Sequence, residues 1–381
     1  MNRFDVQVLG AGIVGQSLAL ALARQGLRVA LQGAASPAPR EADVRAYALN
    51  AASVDLLKRL KVWDALPPHA ATPVLDMHVR GDDHAAAIDF SAWQQRVSAL
   101  AWITDAAVLE RELAAAIRFA PHVTVIADAA DDAGYASLTA LCEGKASASR
   151  AARGVRFERQ DYGHCAIAAR LTADRAHQGM AWQWFRSPDV LALLPFDTPQ
   201  PDRSYALVWS LPNERADALL ALPDAAFEQA LNEATGAGAE PPSHGTPGRL
   251  ALASPRAAWP LAQATASAWC GPGWVLLGDA AHVVHPLAGQ GLNLGLADVA
   301  TLARVIESRE RWRSLGDEKL LRRYARERAV PTWAMGQVTD GLMHLFSQRA
   351  PVVRELRNRG LTLVNQLSPL KRWLTARALD S

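Results

Sequence analysis

The residues best suited to chemistry sit in the last third of the chain. Gly278-Asp279-Ala-Ala-His282 leads through His285 into Pro286-Leu-Ala-Gly289-Gln290-Gly291, and an apolar stretch opens at Leu292. The apolar run Gly273 to Leu277 comes just before. Together they read as strand, loop and helix. An aspartate at such a strand end can accept hydrogen bonds from a polyol chain. Pro286, Gly289, Gly291 and Gly295 bracket a loop entering a helix. Its backbone amides, backed by the helix dipole, can hold negative charge on an electron-accepting ring such as a flavin. Asp279 can equally cap the turn that follows it. His282 and His285 read more simply as packing or hydrogen-bonding residues than as catalysts.

A second glycine cluster lies at the N-terminus. Phe4 to Leu9 is an apolar run, followed by Gly10-Ala-Gly12-Ile-Val-Gly15 and an Ala/Leu-rich stretch to Arg24. The first glycine permits a tight turn, the second lets a pyrophosphate approach the backbone, and the third lets helix and strand pack closely. Phosphate would then meet the positive end of a helix dipole. Gly26 ends that helix, and Leu27 to Leu31 reads as the next strand. An acid about twenty residues on is the usual partner for ribose hydroxyls. Here the place falls on Gly33, preceded by Gln32, which can offer a weaker, uncharged hydrogen bond.

These motifs need elements to hold them. Ala51 to Leu60 and Ala106 to Phe119 have helical periodicity. Met77 to Arg80, Ala86 to Phe90, Val123 to Ile126 and Leu138 to Cys142 read as strands. From about Ala166 the texture changes. Cys165 to Leu171, Met180 to Phe185, Val190 to Leu194 and Tyr205 to Leu211 are short runs with turns between them, the pattern of an antiparallel sheet. Gly236 to Gly248 reads as a loop, and helices are predicted over Leu292 to Glu307 and Glu318 to Arg328.

Composition narrows the class. The chain has 381 residues, 50% hydrophobic and 20% charged, with net charge +2. That fits a globular protein of two or three domains, and nothing global points to nucleic acid. Cys142, Cys165 and Cys270 lie too far apart for a metal-ligand pair, and three is an odd number for a disulfide framework. No metal ligand is predicted. No cleavable leader and no membrane-length apolar run is read, so the expectation is cytoplasmic. Residues 341 to 381 carry seven Arg or Lys against two acids, so the remainder is net −3. Such a tail reads as a solvated helix face, or as a surface for anionic lipid or a partner.

With those residues in hand, the chain resembles the class A flavoprotein monooxygenases, and within them the ubiquinone-biosynthesis hydroxylases (the UbiH-like group). The resemblance runs through Gly10-x-Gly12-x-x-Gly15, Asp43-Val-Arg45-Ala-Tyr-Ala48-Leu49 and Asp76-Met-His78. It continues in Asp161-Tyr-Gly163, His177-Gln-Gly179, Leu191-Ala-Leu-Leu-Pro195 and Val208-Trp-Ser-Leu-Pro212. It closes with Gly278 to Asp298, Thr339-Asp-Gly-Leu342 and Pro369-Leu-Lys371. The Gly278 to Asp298 block and the tail are the specific parts.

The resemblance implies an α/β fold: an FAD-binding Rossmann-like domain of the p-hydroxybenzoate-hydroxylase type, interleaved with an antiparallel β-sheet substrate domain, plus C-terminal helices. The FAD-binding part would comprise residues 1–75, 98–160 and 265–340. The substrate part would comprise 76–97 and 161–264, and the helical tail 341–381. FAD is the implied cofactor, with NAD(P)H as a transient co-substrate and O2 as oxidant. A flavin C4a-hydroperoxide would pass one oxygen atom to an electron-rich ring, while the protein supplies position and a dry pocket. The implied cofactor-binding set is Gly10, Gly12, Gly15, Arg45, Asp279, Pro286, Gly289, Gln290, Gly291 and Asn293. Gln32, Glu143 and Gly144 are weaker candidates.

No protein side chain is assigned as catalytic. Three positions depart from the family pattern. Gly33 replaces the ribose acid, Cys142-Glu143-Gly144 replaces an Asp-Gly strand end, and Ala106-Ala107 replaces a polar position. The implied substrate is an aromatic small molecule, foremost a polyprenylated phenol. Trp182, Trp184, Phe185 and Trp209 could wall an apolar pocket for it, although such aromatics more often read as plain core. Two other readings stay open: a flavin-poor paralogue serving as a scaffold in a biosynthetic complex, and a hydroxylase of a small soluble aromatic acid. The basic tail suits a ubiquinone-biosynthesis complex or a site peripheral to the inner membrane.

Overall fold

The computed structural model describes residues 4–33, 43–81, 87–126, 136–236, 246–284 and 291–347. Pro286, Gly289 and Gln290, and the tail beyond residue 347, lie outside the described residues.

Three sheets organise the chain. The first contains β1 (Phe4–Leu9), β2 (Val29–Gln32), β8 (Val123–Ile126), β9 (Ala136–Leu141), β16 (Cys270–Gly271) and β17 (Trp274–Leu276). Its order is β16-β17-β9-β1-β2-β8, and every pair but β16–β17 is parallel. The second is small: β3 (Ala46–Leu49), β4 (Ala71–Val74) and β7 (Ala101–Asp105), in the order β3-β7-β4. The third and largest holds β5 (Asp76–Arg80), β6 (Ala87–Ser91), β10 (Phe157–Ala173), β11 (Met180–Arg186), β12 (Asp189–Phe196), β13 (Ser204–Pro212), β14 (Leu250–Leu252), β15 (Ala257–Ala266) and β18 (His282–Val283). It runs β18-β15-β10-β13-β12-β11-β5-β6, with β14 paired to β10. It is antiparallel apart from the β5–β11 pair.

The helices are α1 (Ile13–Ala23), α2 (Ala51–Arg59), α3 (Ala92–Gln95), α4 (Ala106–Arg118), α5 (Ala148–Ala152), α6 (Asn213–Leu220), α7 (Asp224–Thr235), α8 (Gly291–Glu307) and α9 (Glu318–Ser347). Helix α1 is apolar on nearly every side because every side is buried. It packs among β1, α2, α4 and α8 in the principal core, which Leu18, Leu22, Leu57, Leu113, Val299 and Leu302 fill.

Alternation along the large sheet separates two faces. Ile167, Ala169, Leu171, Trp182, Trp184, Leu207 and Trp209 point to one face, where they form a core with Phe227 and Leu231 of α7 and Leu219 of α6. The Trp209 ring lies 6.1 Å from that of Phe227. The packing bears out the core reading of the tryptophans and corrects the alternative that they wall a pocket. Trp182, Trp184 and Trp209 are core under α6 and α7, and the opposite face of the same strands carries small residues: Ala166, Ala168, Ala192, Ala206 and Val208. Phe185 does lie on that opposite face, packed against Val79 and Val190.

If Trp209 is core, Trp209→Ala should cost about 3–5 kcal/mol of stability. Urea unfolding would measure this, and FAD affinity of the folded variant should stay unchanged. A stable variant with impaired flavin or substrate binding would restore the pocket assignment.

Candidate active site

The parallel sheet brings the predicted motifs together at one edge. Leu9 is in register with Leu141 and with Gln32, and Leu141 is in register with Leu276. The loops that begin at Gly10, Gly33, Cys142 and Leu277 therefore leave adjoining carboxyl ends of four strands. In open α/β sheets that edge is where ligands bind.

The first loop has the space a phosphate needs. At Gly10, a side chain would come within 2.3 Å of the Cys142 carbonyl oxygen, and at Gly15 within 1.8 Å of the Gly10 oxygen. Both must be glycine for loop, strand and helix to touch. At Gly12 a Cβ would meet nothing within 4 Å. Gly12 is also the N-cap of α1 and supplies no side-chain cap. The exposed Gly12 turn at the start of α1 is thus open, as a pyrophosphate would require.

The polyol end is equally receptive. Asp279 follows β17 and takes no side-chain hydrogen bond from a described residue. Burial pushes its carboxyl pKa up, against the pull of Lys145 and His282. A half-buried carboxylate without donors is costly unless hydroxyls from a ligand supply them.

Asp298 of α8 fixes the frame around Asp279, with no exposed surface. Its Oδ2 accepts from Gly278 N at 2.9 Å and His282 Nε2 at 2.7 Å, and its Oδ1 accepts from Arg328 Nε at 2.7 Å. Burial raises the Asp298 pKa, but His282 and Arg328 outweigh it and hold the carboxyl below its ordinary value. Sequence reasoning gave Asp298 no role. Its signal was a lone acid on the buried side of α8, beside Leu294, Val299 and Leu302.

Other predicted residues serve the scaffold. Asn293 is 4% exposed, and both its amide oxygen and its nitrogen are bonded within the chain. It accepts from Asn50 N and Ser53 Oγ and donates to the Ala48 oxygen, tying α8 to β3 and α2. Gly291 begins α8. Gln32 accepts from Gln7 at 2.8 Å, on the strand beside it. Gly33 has φ +140°, and a Cβ there would stand 3.0 Å from Ala11 N. A side chain there would crowd the Ala11 amide and sit at a strained φ, so an acid is disfavoured at this position.

Glu143 turns into its own loop, accepting from Ser147 Oγ at 2.6 Å and from Ser149 Oγ and N. Gly144 sits beside it with φ +77° and open space around a notional Cβ. Arg150 donates to the Lys145 and Ala280 oxygens and so joins this loop to the Asp279 turn. Arg45 is held by Asp43 through a bidentate pair and by Glu110 at 3.2 Å. The Asp43 carboxyl is raised by burial but lowered further by Arg45, and its net shift is downward. Arg45 also reaches the Tyr47 hydroxyl, and Asp279 acts electrostatically on that phenol.

One trio could be mistaken for a metal site: His177, Asp197 and Asp202. His177 Nδ1 accepts from Gly179 N, so Nε2 carries the proton and donates to Asp197. Asp197 further accepts from Asp202 N and Thr72 Oγ1. These bonds staple the turns around β4, β11 and β13.

Residues 3–339 match the FAD binding domain family, and the chain belongs to that family. It is therefore an FAD-dependent oxidoreductase of the monooxygenase class. Among its relatives, 3-demethoxyubiquinol 3-hydroxylase of Escherichia coli K12 is 30% identical over 399 residues, covering 98% of each chain. Ubiquinone hydroxylase UbiL of Rhodospirillum rubrum is 28% identical over 398 residues, covering 99% of this chain and 90% of its own. The fold also matches PqsL of Pseudomonas aeruginosa, solved with 2-aminobenzoylacetate, with TM-score 0.75, 19% identity, and coverage of 95% and 100%.

The residues present fit FAD: an open turn at Gly12 and, at Asp279, a carboxylate with no side-chain hydrogen bond among the described residues. An acid whose folded pKa is raised loses stability as pH rises through its ordinary value, 3.8, toward the raised one, and the penalty is complete above both. Asp279→Asn should therefore raise the melting temperature of the FAD-free protein at pH 7 and narrow its stability loss above pH 4. It should also weaken FAD by about tenfold, the worth of a charged hydrogen bond. Scanning calorimetry and flavin titration read the two effects, and a destabilised variant with normal FAD affinity would contradict the assignment.

Proposed function

We propose that this enzyme places one atom of O2 on the ring of a polyprenylated phenol in ubiquinone synthesis, with FAD as cofactor and NAD(P)H as transient electron donor. The observation that carries the reading is the near full-length likeness to ubiquinone hydroxylases, over a chain whose cofactor-facing ends are open and polar. An apolar, long-chain substrate suits the small-residue face of the large sheet, where Ala166, Ala168, Ala192 and Ala206 project no bulky side chain. The flavin, when bound, supplies the oxygen chemistry. The chain's own contribution is to hold the cofactor at the strand ends and to keep water out by burying the seam.

The basic tail, residues 341–381, suits docking at an anionic membrane surface or within a biosynthetic complex where such a substrate resides. Among the described residues no helix is long and apolar enough to cross a membrane. The scaffold reading is disfavoured because a scaffold needs neither the open Gly12 turn nor a half-buried Asp279 without a donor among the described residues.

The cofactor is expected to be held loosely. Gly33 offers no carboxylate, Glu143 is engaged within its own loop, and Ala106-Ala107 offers no polar side chain. At roughly 1 kcal/mol per net hydrogen bond, two or three missing contacts weaken binding by one to two orders of magnitude. Purified protein should carry less than one flavin per chain and recover the rest on titration with FAD. Stoichiometric flavin surviving gel filtration would contradict this. Deletion of the gene should cause a phenolic hydroxylation intermediate to accumulate, and unchanged ubiquinone levels would overturn the substrate assignment.

A further inference from the structure

The small-residue face of the large sheet carries one charged group that the site described above does not use. Arg170 lies in β10, in the run Ala166 to Leu171, and is 7% exposed. Its cross-strand neighbour is Ala206. The guanidinium carbon stands 4.0 Å from the centre of the Phe196 ring. Nη2 donates to the Arg45 backbone oxygen at 2.8 Å and to Asp105 Oδ2 at 3.2 Å. Nη1 is buried and has no hydrogen-bond partner among the described residues.

A guanidinium cannot shed its proton to escape this position. A buried donor left unmade is expensive, and native proteins leave few of them. The bonded nitrogen is pinned to the segment Asp43 to Tyr47, which also carries the clamped Arg45 and the phenol that senses Asp279. The free nitrogen therefore lies at the seam where the large sheet meets the cofactor domain. Phe196 behind it and Arg45 beside it stop the side chain from swinging away.

We propose that Arg170 Nη1 is a specificity-setting donor for an electron-rich oxygen of an aromatic system bound at this seam, either the phenol oxygen of the substrate or a carbonyl of the flavin. This rests on the hydroxylase reading above. A fixed cation beside a phenol favours the phenolate and lowers its pKa. A phenolate ring is more electron-rich at the positions ortho and para to the oxygen, where an electrophilic oxygen atom adds. A fixed cation beside a flavin carbonyl instead strengthens cofactor binding and favours the reduced, anionic ring.

The test uses the full chain reconstituted with FAD, comparing wild type with Arg170→Met and Arg170→Lys. Flavin fluorescence gives FAD affinity. Perturbation of the flavin absorbance gives the affinity for a short-chain prenylated phenol and for its O-methyl ether, across a range of pH. If the substrate oxygen is the acceptor, Arg170→Met should weaken the phenol by about tenfold or more, the worth of a hydrogen bond to a charged group. It should also erase the preference for phenol over ether and leave FAD affinity within about twofold. If the flavin is the acceptor, FAD affinity should fall by about tenfold while the preference for phenol over ether persists. Arg170→Lys should recover part of either loss.

The proposal is overturned if both affinities stay within about twofold in a folded Arg170→Met protein. Should that variant fail to fold, Arg170→Lys carries the test. Equal affinity of wild type for phenol and ether, together with an unchanged FAD affinity in Arg170→Lys, overturns it. Wild type that binds FAD but neither phenol nor ether defeats the substrate reading instead, and the flavin arm still decides the role of Arg170.

Discussion

A carboxylate sealed from water holds the cofactor-facing half of this protein in register. Asp298 sits in the middle of α8 and receives a backbone amide from the Gly278 turn, an imidazole from β18 and a guanidinium from α9. Each donor belongs to a different element, so one side chain fixes the strand end, the edge of the large sheet and the long helix against one another. Removing the acid would strand Arg328 beside it, since a buried ion pair broken on one side costs more than it ever contributed. Tyr324 adds a second tie from α9, donating to the Leu276 oxygen in β17. The Asp279 turn is thus held from below while its own carboxylate stays unpartnered.

That frame divides the work between two ends of the cofactor site. At the Gly10 loop, close packing against the Cys142 carbonyl leaves the backbone little freedom, and the phosphate-facing amides of α1 are exposed as a consequence. The adenosine side is thinner, because Gly33 and Glu143 contribute turns and internal bonds where charged contacts would otherwise stand. On the reading proposed above, affinity comes mainly from the pyrophosphate turn, Asp279 and the segment entering α8. Arg170 ties the small-residue face of the large sheet to the Arg45 segment.

Much of this was legible in the sequence, for physical reasons. The glycine spacing at Gly10 and the apolar run into Gly278 are local signals, and both appear as the predicted strand, turn and helix. Helices α6 and α7 went unread, because Pro212 and Pro223 precede them and mimic loop sequence, although proline is well tolerated at helix starts. The tryptophans read as core first and as pocket wall second, and the core reading holds. Alternation separates two faces but does not say which one a helix will cover, and that depends on the unread α6 and α7. Asn293, Asp298 and Arg170 share another difficulty. A buried polar residue's partners lie 30 to 243 residues away in Asp298–Arg328 and Asn50–Asn293, and no local pattern reports them.

The central claim is that this fold transfers an oxygen atom from O2 to a phenolic ring. Turnover of FAD-reconstituted enzyme with NAD(P)H and a prenylated phenol under 18O2 tests it most directly, by mass spectrometry of the product. The account predicts a hydroxylated ring bearing one 18O atom and no label acquired from 18O-water. NAD(P)H oxidation that yields only hydrogen peroxide with an unchanged phenol, or a hydroxyl labelled from water, would contradict it.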